Sequence, residues 1–570
     1  MEETAIRFEN FGFQYKVQQK PTLYDINLTI RKGEKVLILG SSGSGKSTLA
    51  NCINGLIPFS NEGTITGSIT VNGVETRSAS LHELSKAVGT VLQDSDAQFV
   101  GLSVGEDIAF AMENEAIPRS EMVPVVYRHA SVVGMQDFIG AVPFDLSGGQ
   151  KQKVAIAGVL GSDVSILIFD EPLAALDPQM GQTAVELIDN LSQNGEDTII
   201  IIEHRLEDVL HRRVDRVILM SEGRIVSDST PDELLQSTLL RDYGIREPLY
   251  ITAMKYAGCS ITGNLNLCDI HCIEFTKENR TKLLEFFDGG TSVPQEDTGE
   301  EVIRLEGVDF AYDEGVNVVS DVSFSIHKGE RIAVIGKNGA GKSTTAKLIC
   351  GIARPQRGRV FIGKKDAKGL SVKEIGEHVG YVMQNPNQMI LKDTIKAEVE
   401  FALTVRGTSQ DEIRERATDA LNACSLYPMR NWPVDTVSYG QKKRITVASI
   451  LVLHPDVLIL DEPSAGQDYK SYMEIMHFID RLNREYGITI LFITHDMHLA
   501  LENTDRAIVF ADGRLIADDR VFAVLANDEV IQRANLKQTS LYTLALRLEL
   551  PPEQVIRRFI EHERSVKAGE

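Results

Sequence analysis

An α/β chain of two tandem nucleotide-binding units is the fold this sequence predicts, on three observations. The stretch GSSGSGKS at residues 40–47 fits a phosphate loop, and it returns as GKNGAGKS at 336–343. Each copy follows an apolar run (VLIL, IAVI) and precedes a helix-forming one (TLANCING, TTAKLICG), the strand–loop–helix setting that the pattern needs. Landmarks further on recur at one spacing: Gln93 with Gln384, Asp170 with Asp461, and His204 with His495, each at an offset of 291.

Length agrees, since 570 residues are too many for one core. A net charge of −22 and a pI near 5.1 argue against broad contact with nucleic acid. No apolar run reaches the roughly 18–20 residues that span a bilayer; ITVASILVL, before His454, is cut short by polar residues and Pro455. The opening MEETAIRFEN has neither the basic region nor the apolar core of a secretory signal. Six cysteines are scattered. Cys268 and Cys272 flank His271, but no second ligand pair stands at zinc spacing, so they read as reduced thiols.

In chain order, each copy opens with alternating β-rich sequence (AIRFENFGFQY and LYDINLTIRKGE; VIRLEGVDFAY and VVSDVSFSIHKGE), which predicts an antiparallel β subdomain. The phosphate loop and its helix follow. Copy 1 is five residues longer between loop and glutamine, at PFSNEGTITG, which reads as a surface loop. Helical periodicity over about 100–140 and 391–432 predicts a helical subdomain. SILIFDEP, TIIIIEH, DVLILDEP and ITILFITH read as buried parallel strands of a mixed core sheet. VILMSEGRIVSD and AIVFADGRLIADD read as hairpins turning at Glu-Gly and Asp-Gly. EPLYITAMKYAG and TSLYTLALRLEL repeat at an offset of 292, so each copy carries a small C-terminal extension. DGGTSVPQEDTGEE, at 288–301, reads as a linker between domains at 1–287 and 302–570.

The chemistry follows from residue type and spacing. Glycines let successive backbone N–H groups face one centre, and the helix start adds its dipole. This makes Gly40, Ser41, Ser42, Gly43, Ser44, Gly45, Lys46, Ser47 and Thr48 one ATP-binding set. Gly336, Lys337, Asn338, Gly339, Ala340, Gly341, Lys342, Ser343 and Thr344 make the other. The two lysines reach the β/γ-phosphates, while Ser47 and Ser343 hold Mg²⁺. Asp170 and Asp461, at strand ends, complete the Mg²⁺ shell, and Glu171 and Glu462 are placed to deprotonate the attacking water.

LSGGQ, residues 146–150, narrows the reading further. With it the sequence resembles the ATPase subunits of ABC transporters over nearly its whole length. The resemblance implies that Ser147, Gly148, Gly149 and Gln150 cap a nucleotide held by the other domain. It implies an adenine-stacking role for Tyr15 and Tyr312, and a hinge role, with contact to Mg²⁺, for Gln93 and Gln384. His204 and His495 become γ-phosphate switch residues, and the loops ending at Asp177 and Asp468 cross the dimer. Copy 2 departs from the pattern: its signature is VSYGQ, with Ser438, Tyr439, Gly440 and Gln441. If the Tyr439 position requires left-handed backbone, a side chain there costs about 1–2 kcal/mol and weakens the site on the first phosphate loop. Two hydrolytic sites of unequal rate are expected.

QNPNQMILKDTIKAEVEFAL and QDSDAQFVGLSVGEDIAFAM resemble the ATPases of energy-coupling factor importers, which take up vitamins, vitamin precursors and metal ions. EHRLEDV, with Glu203 before the histidine, resembles the fused members of that group. The resemblance implies a transmembrane T component, a substrate-binding S component and a peripheral position on the cytoplasmic membrane face. The alternatives are a fused sugar-importer ATPase, a soluble ABC ATPase acting on ribosomes or DNA, and a module that binds nucleotide without hydrolysing it. Both glutamates disfavour the last. The short linker and the absence of C-x-x-C disfavour the ribosome and DNA classes.

Overall fold

The computed structural model describes residues 3–93, 97–161, 164–173, 176, 178–192, 197–263, 265–289, 299–313, 315–464 and 467–569. Two compact units emerge. One is Met1–Asn279 with Asp468–Lys470, and the other is Arg280–Gln467 with Ser471–Glu570.

In the first unit the strands are β1 (Thr4–Tyr15), β2 (Leu23–Arg31), β3 (Lys35–Leu39), β4 (Gly63–Val71), β5 (Val74–Glu75), β6 (Val88–Val91), β7 (Ile166–Asp170), β8 (Thr198–Ile202), β9 (Arg216–Ser221) and β10 (Arg224–Ser229). They form a four-stranded antiparallel sheet, β2-β1-β4-β5, and a six-stranded sheet, β10-β9-β3-β8-β7-β6. The six-stranded sheet is parallel except at its β9–β10 edge. Strands β3 and β8 are buried at every position, which explains why their sequences are apolar runs without alternation. The two sheets share one core, in which Phe11, Phe13 and Leu23 pack with Ile38, Ile168 and Ile200.

The second unit repeats the pattern with β11 (Glu301–Phe310), β12 (Val319–His327), β13 (Arg331–Ile335), β14 (Arg357–Ile362), β15 (Lys365–Asp366), β16 (Val379–Val382), β17 (Val457–Asp461), β18 (Thr489–Thr494), β19 (Arg506–Ala511) and β20 (Arg514–Arg520). The orders are β12-β11-β14-β15 and β16-β17-β18-β13-β19-β20. Both predicted hairpins form. Their turns have two successive left-handed residues, Glu222-Gly223 (φ 46° and 76°) and Asp512-Gly513 (φ 48° and 78°), the conformation a right-twisted two-residue hairpin turn demands.

The expectation for PFSNEGTITG needs correcting. Its second half is not a loop, because Gly63–Gly67 begin β4, where Gly63 to Thr66 pair with β1 from Tyr15 back to Gly12. The extra length extends an antiparallel pair: β4 has nine residues against six in β14. Its first five side chains lie at the surface or half-buried, so composition there mimics a loop while Thr-Ile-Thr supplies β propensity.

The helical segments hold Val104–Asn114, Arg119–Val132 and Gly148–Leu160 in the first unit, and Ile395–Val405, Gln410–Ala423 and Tyr439–Leu451 in the second. Serine or threonine caps at Ser103, Ser147, Thr394, Ser409 and Ser438 start five of the six. In the C-terminal extensions the repeated motif is helical in both copies, at Leu249–Tyr256 and Ser540–Leu548. The helix Lys277–Asp288 runs into the second unit. There the Arg558 Nε donates to the Phe286 carbonyl (3.1 Å) and the Gln554 amide to the Phe287 carbonyl (2.9 Å).

Candidate ATP sites

In each unit the phosphate loop follows the first of three adjacent parallel strands, β3-β8-β7 or β13-β18-β17. The histidine follows the second of these strands and the aspartate–glutamate pair ends the third, so the groups converge at the carboxyl ends of the strands, where open α/β sheets bind ligands. Loop geometry requires glycine. Gly40 (φ 158°) and Gly336 (φ 153°) pass so close to the next strand that a Cβ would lie 2.5 Å from the Met220 carbonyl oxygen or 2.3 Å from that of Phe510. Gly45 and Gly341, both at φ 100°, cap the following helices in left-handed geometry.

Lys46 and Lys342 fold back over these loops. Lys46 Nζ donates to the carbonyls of Gly40 (2.8 Å) and Ser41 (3.0 Å), and Lys342 Nζ to those of Gly336 (2.5 Å) and Lys337 (3.0 Å). Burial is the main reason the Lys46 ammonium sits below its ordinary pKa, with Glu171 and Asp170 pulling the other way. The Ser44 hydroxyl is buried and has no partner, an orphan that a phosphate oxygen would satisfy. Ser47 Oγ donates to Asp170 Oδ1 and Ser343 Oγ to Asp461 Oδ1, both at 3.3 Å. These all-oxygen pairs suit a hard cation such as Mg²⁺. Burial, above all, raises both aspartates, and a divalent cation beside them would reverse that direction.

Glu171 and Glu462 take left-handed backbone, φ 48° and 45°, a strain of about 1–3 kcal/mol for a non-glycine residue. A hydrogen bond from each N–H to the neighbouring strand, at Ile202 or Ile493 (2.9 Å each), holds them there. Their side chains are engaged differently. Glu462 Oε1 lies 2.7 Å from His495 Nδ1 and Oε2 accepts from the Thr494 hydroxyl (3.3 Å). Glu171 Oε2 accepts from the Gln93 amide (2.6 Å), and Oε1 is 3.6 Å from His204 Nδ1. Tyr15 and Tyr312 meet the phosphate-loop helices through Thr48 (3.2 Å) and Thr344 (3.4 Å). Asp177 lies outside the described residues. Asp468 belongs to the first unit, where the Ser42 N–H donates to its carboxylate (2.5 Å).

His204 carries a pH consequence. Burial lowers its pKa, but the contact with Glu171 and the charges of Glu203 and Glu171 outweigh burial, and the net direction is upward from 6.5. Stability from this pairing is therefore present below the unfolded value and lost as pH rises through the raised folded one. In the nucleotide-free chain, His204 is expected to titrate above 6.5 by proton NMR, and Glu171→Gln to bring it down. An unchanged midpoint would refute the pairing.

The signatures start helices for a local reason. Ser147 with Gln150, and Ser438 with Gln441, form capping boxes: the serine hydroxyl accepts the glutamine N–H while the glutamine carbonyl accepts the serine N–H. Gly148 and Tyr439 are both first helical residues, and neither has positive φ. The conditional backbone penalty at Tyr439 therefore does not apply. What Tyr439 changes is the side chain. A half-exposed ring stands where Gly148 leaves the backbone bare, and its hydroxyl donates to the Gln384 carbonyl (3.1 Å).

A family profile for ABC transporters matches residues 23–174 and 319–465, and one described as ATP-binding cassette cobalt transporter matches 237–310. This chain belongs to the ABC transporter ATP-binding proteins. A protein so named in Clostridium perfringens is 50% identical over the full length of both chains, and one in Enterococcus faecalis is 52% identical, again over both full lengths. A Vibrio parahaemolyticus relative is 48% identical over 99% of this chain and 98% of its own. Among solved structures, cbiO1 of Clostridium perfringens, described as part of the ABC transporter complex cbiONQ, matches at 32% identity and a TM-score of 0.39, over 44% of this chain and 100% of that one. The protein is thus an ATPase of the ABC transporter class with two ABC domains.

Two supporting residues of this ABC ATPase, Tyr381 and Lys443, escaped the motif reading, and a third, Glu203, enters it only as a mark of the subgroup, without a structural role. The Tyr381 hydroxyl donates to Asp461 (2.6 Å), Lys443 Nζ reaches the Glu462 and Pro463 carbonyls, and Glu203 lies fully buried beside His204. The signal that could have found them is comparison of the copies at the 291-residue offset, where Thr90, Gln152 and Thr494 stand instead.

Proposed function

We propose that this ATPase energises an energy-coupling factor importer for a vitamin, a vitamin precursor or a metal ion. The observation that carries the reading is the match of residues 237–310, which lie in and just beyond the first extension, to the cobalt-transporter ATPase profile. Exposed apolar side chains add support: Leu102 and Phe144 in the first unit, and Leu391 and Trp432 in the second, stand near the hinge segments after Gln93 and Gln384. Such patches suit coupling helices of a transmembrane T component, with an S component conferring specificity. Among the described residues no helix is long and apolar enough to cross a membrane. With a T component as its partner, the ATPase takes a peripheral position on the cytoplasmic face of the membrane.

In this reading the functional halves run 1–287 and 302–570, and each signature caps the nucleotide on the other half's phosphate loop. The Tyr312 and Tyr15 rings stack on adenine. Lys46 and Lys342 leave their loop carbonyls for the β/γ-phosphates. Mg²⁺ would be held by Ser47, Asp170 and Gln93, or by Ser343, Asp461 and Gln384, and would neutralise charge developing on the transferred phosphate. Glu171 and Glu462 accept the proton of the attacking water, and His204 and His495 sense the γ-phosphate. Closure on ATP and opening after hydrolysis move the membrane partner.

Gentle detergent extraction of the full-length chain from its native membrane tests this. A T component and small vitamin- or metal-binding membrane proteins are expected to copurify. Recovery with ribosomes, or with sugar-permease subunits, would overturn it.

A further inference from the structure

The loop carrying His204 is anchored in a way its counterpart is not. Glu203 is completely buried, and its carboxylate accepts three backbone N–H groups. Oε1 takes Leu173 (3.0 Å), and Oε2 takes His204 (2.9 Å) and Arg205 (3.1 Å). Arg205 completes the link from the other side: its Nη1 donates to the Leu173 carbonyl (2.9 Å) and its Nε to Asp208 (2.7 Å). Both backbone groups of Leu173, two residues beyond Glu171, are thereby tied to the histidine loop. The second unit has Thr494, Asp496 and Ser464 at these positions. Thr494 is equally buried, but its hydroxyl donates to Glu462 (3.3 Å) and accepts the Asp496 N–H (3.0 Å). Thr494 thus gives its donor to a side-chain carboxylate, and Asp496 accepts the His498 and Leu499 N–H groups of the helix that follows it. A buried carboxylate satisfied by three donors is costly to disturb, because its loss strands all three.

We propose that Glu203 and Arg205 form a clamp on Leu173 that positions Glu171 against His204, so that the hydrolytic glutamate and the switch histidine of the first unit move as one piece. Glu203 and Arg205 are positioning residues, since neither touches the site of reaction. In the second unit the Glu462 side chain meets His495 directly and Thr494 beside it. The inference rests on the ATPase activity and not on the identity of the importer.

The test uses the full-length chain with Arg205→Ala, Glu203→Thr (the residue of the second copy) and Glu203→Gln. Arg205 is part-exposed, so Arg205→Ala keeps the fold if Glu203→Thr does not. Peptide-resolved hydrogen exchange reads the Leu173, His204 and Arg205 amides, with 457–464 and 490–497 as internal reference. Leu173 is expected to exchange roughly tenfold faster or more in Arg205→Ala and Glu203→Thr, with the reference peptides unchanged. ATP turnover is expected to fall in kcat by about two- to tenfold, no further than in Glu171→Gln, at constant KM for ATP. Glu203→Gln, which keeps one acceptor oxygen, should fall between. Unchanged exchange at Leu173 would overturn the clamp. Faster exchange with unchanged kcat, or with a change confined to KM, would make the pair purely structural and overturn the positioning role.

Discussion

Replacing Glu462 by Gln is expected to lower ATP turnover by about 100-fold or more, while Glu171→Gln lowers it by less than about tenfold. Both glutamates sit on strained backbone at the end of a core strand, so position does not separate them. Their partners do. Glu462 is nine-tenths buried, lies 2.7 Å from His495 and accepts from Thr494, which orients its carboxylate toward the histidine that would sense γ-phosphate. Glu171 is taken by the Gln93 amide at 2.6 Å and is 3.6 Å from its own histidine. It has to leave a charge-assisted hydrogen bond before it can act as a base. The proposed pairing of signatures adds to this: intact LSGGQ caps the second phosphate loop, while the first meets VSYGQ, whose Tyr439 ring occupies space that Gly148 leaves open. Steady-state ATPase assays on both variants decide the matter, and equal losses would sink the asymmetry.

What the sequence declares and what it conceals divide along physical lines. Phosphate loops, buried strands and hairpins are local: glycine at 40 and 45, apolar runs at 35–39 and 198–202, and Glu-Gly at 222–223 each state their own conformation. The start of β4 is concealed because it runs beyond the reach of β5, and a stretch paired on one side with surface-facing side chains has the composition of a loop. Tyr439 misleads for another reason. A glycine in a motif invites a backbone explanation, whereas helix-start geometry accepts any residue, and the glycine matters for the space above it. The roles of Glu203, Tyr381 and Lys443 are hidden more deeply. Each residue acts through a hydrogen bond to a partner 30, 80 or 19 positions away, which only the folded sheet brings near.

Lys443→Met is expected to destabilise the second unit by about 1–3 kcal/mol, against less than about 1 kcal/mol for Lys443→Gln. Lys443 is 3% exposed and its Nζ donates to the carbonyls of Glu462 (2.9 Å) and Pro463 (3.0 Å). Methionine fills the volume but leaves the buried Glu462 carbonyl without this donor, while the Pro463 carbonyl keeps the Gln467 amide (3.0 Å). Glutamine is the first copy's solution, where the Gln152 amide donates to the Pro172 carbonyl. At ~2–4 °C per kcal/mol, the melting transition of the second unit drops by roughly 2–10 °C in Lys443→Met. The effect also has a sign in pH. Burial pushes the Lys443 ammonium down to about 8 from 10.5, with Glu462 and Asp461 pulling it back. Between those values the unfolded chain holds a proton that the folded chain has released, so wild-type stability rises with pH across that window. The neutral amine keeps two N–H donors for its two carbonyls, and nothing is lost in the exchange. Methionine has no proton to release, so the stability gap between wild type and Lys443→Met widens from pH 7.5 to 9.5. Denaturant unfolding at the two pH values measures it, and a gap that stays level or narrows would show that the buried amine remains charged.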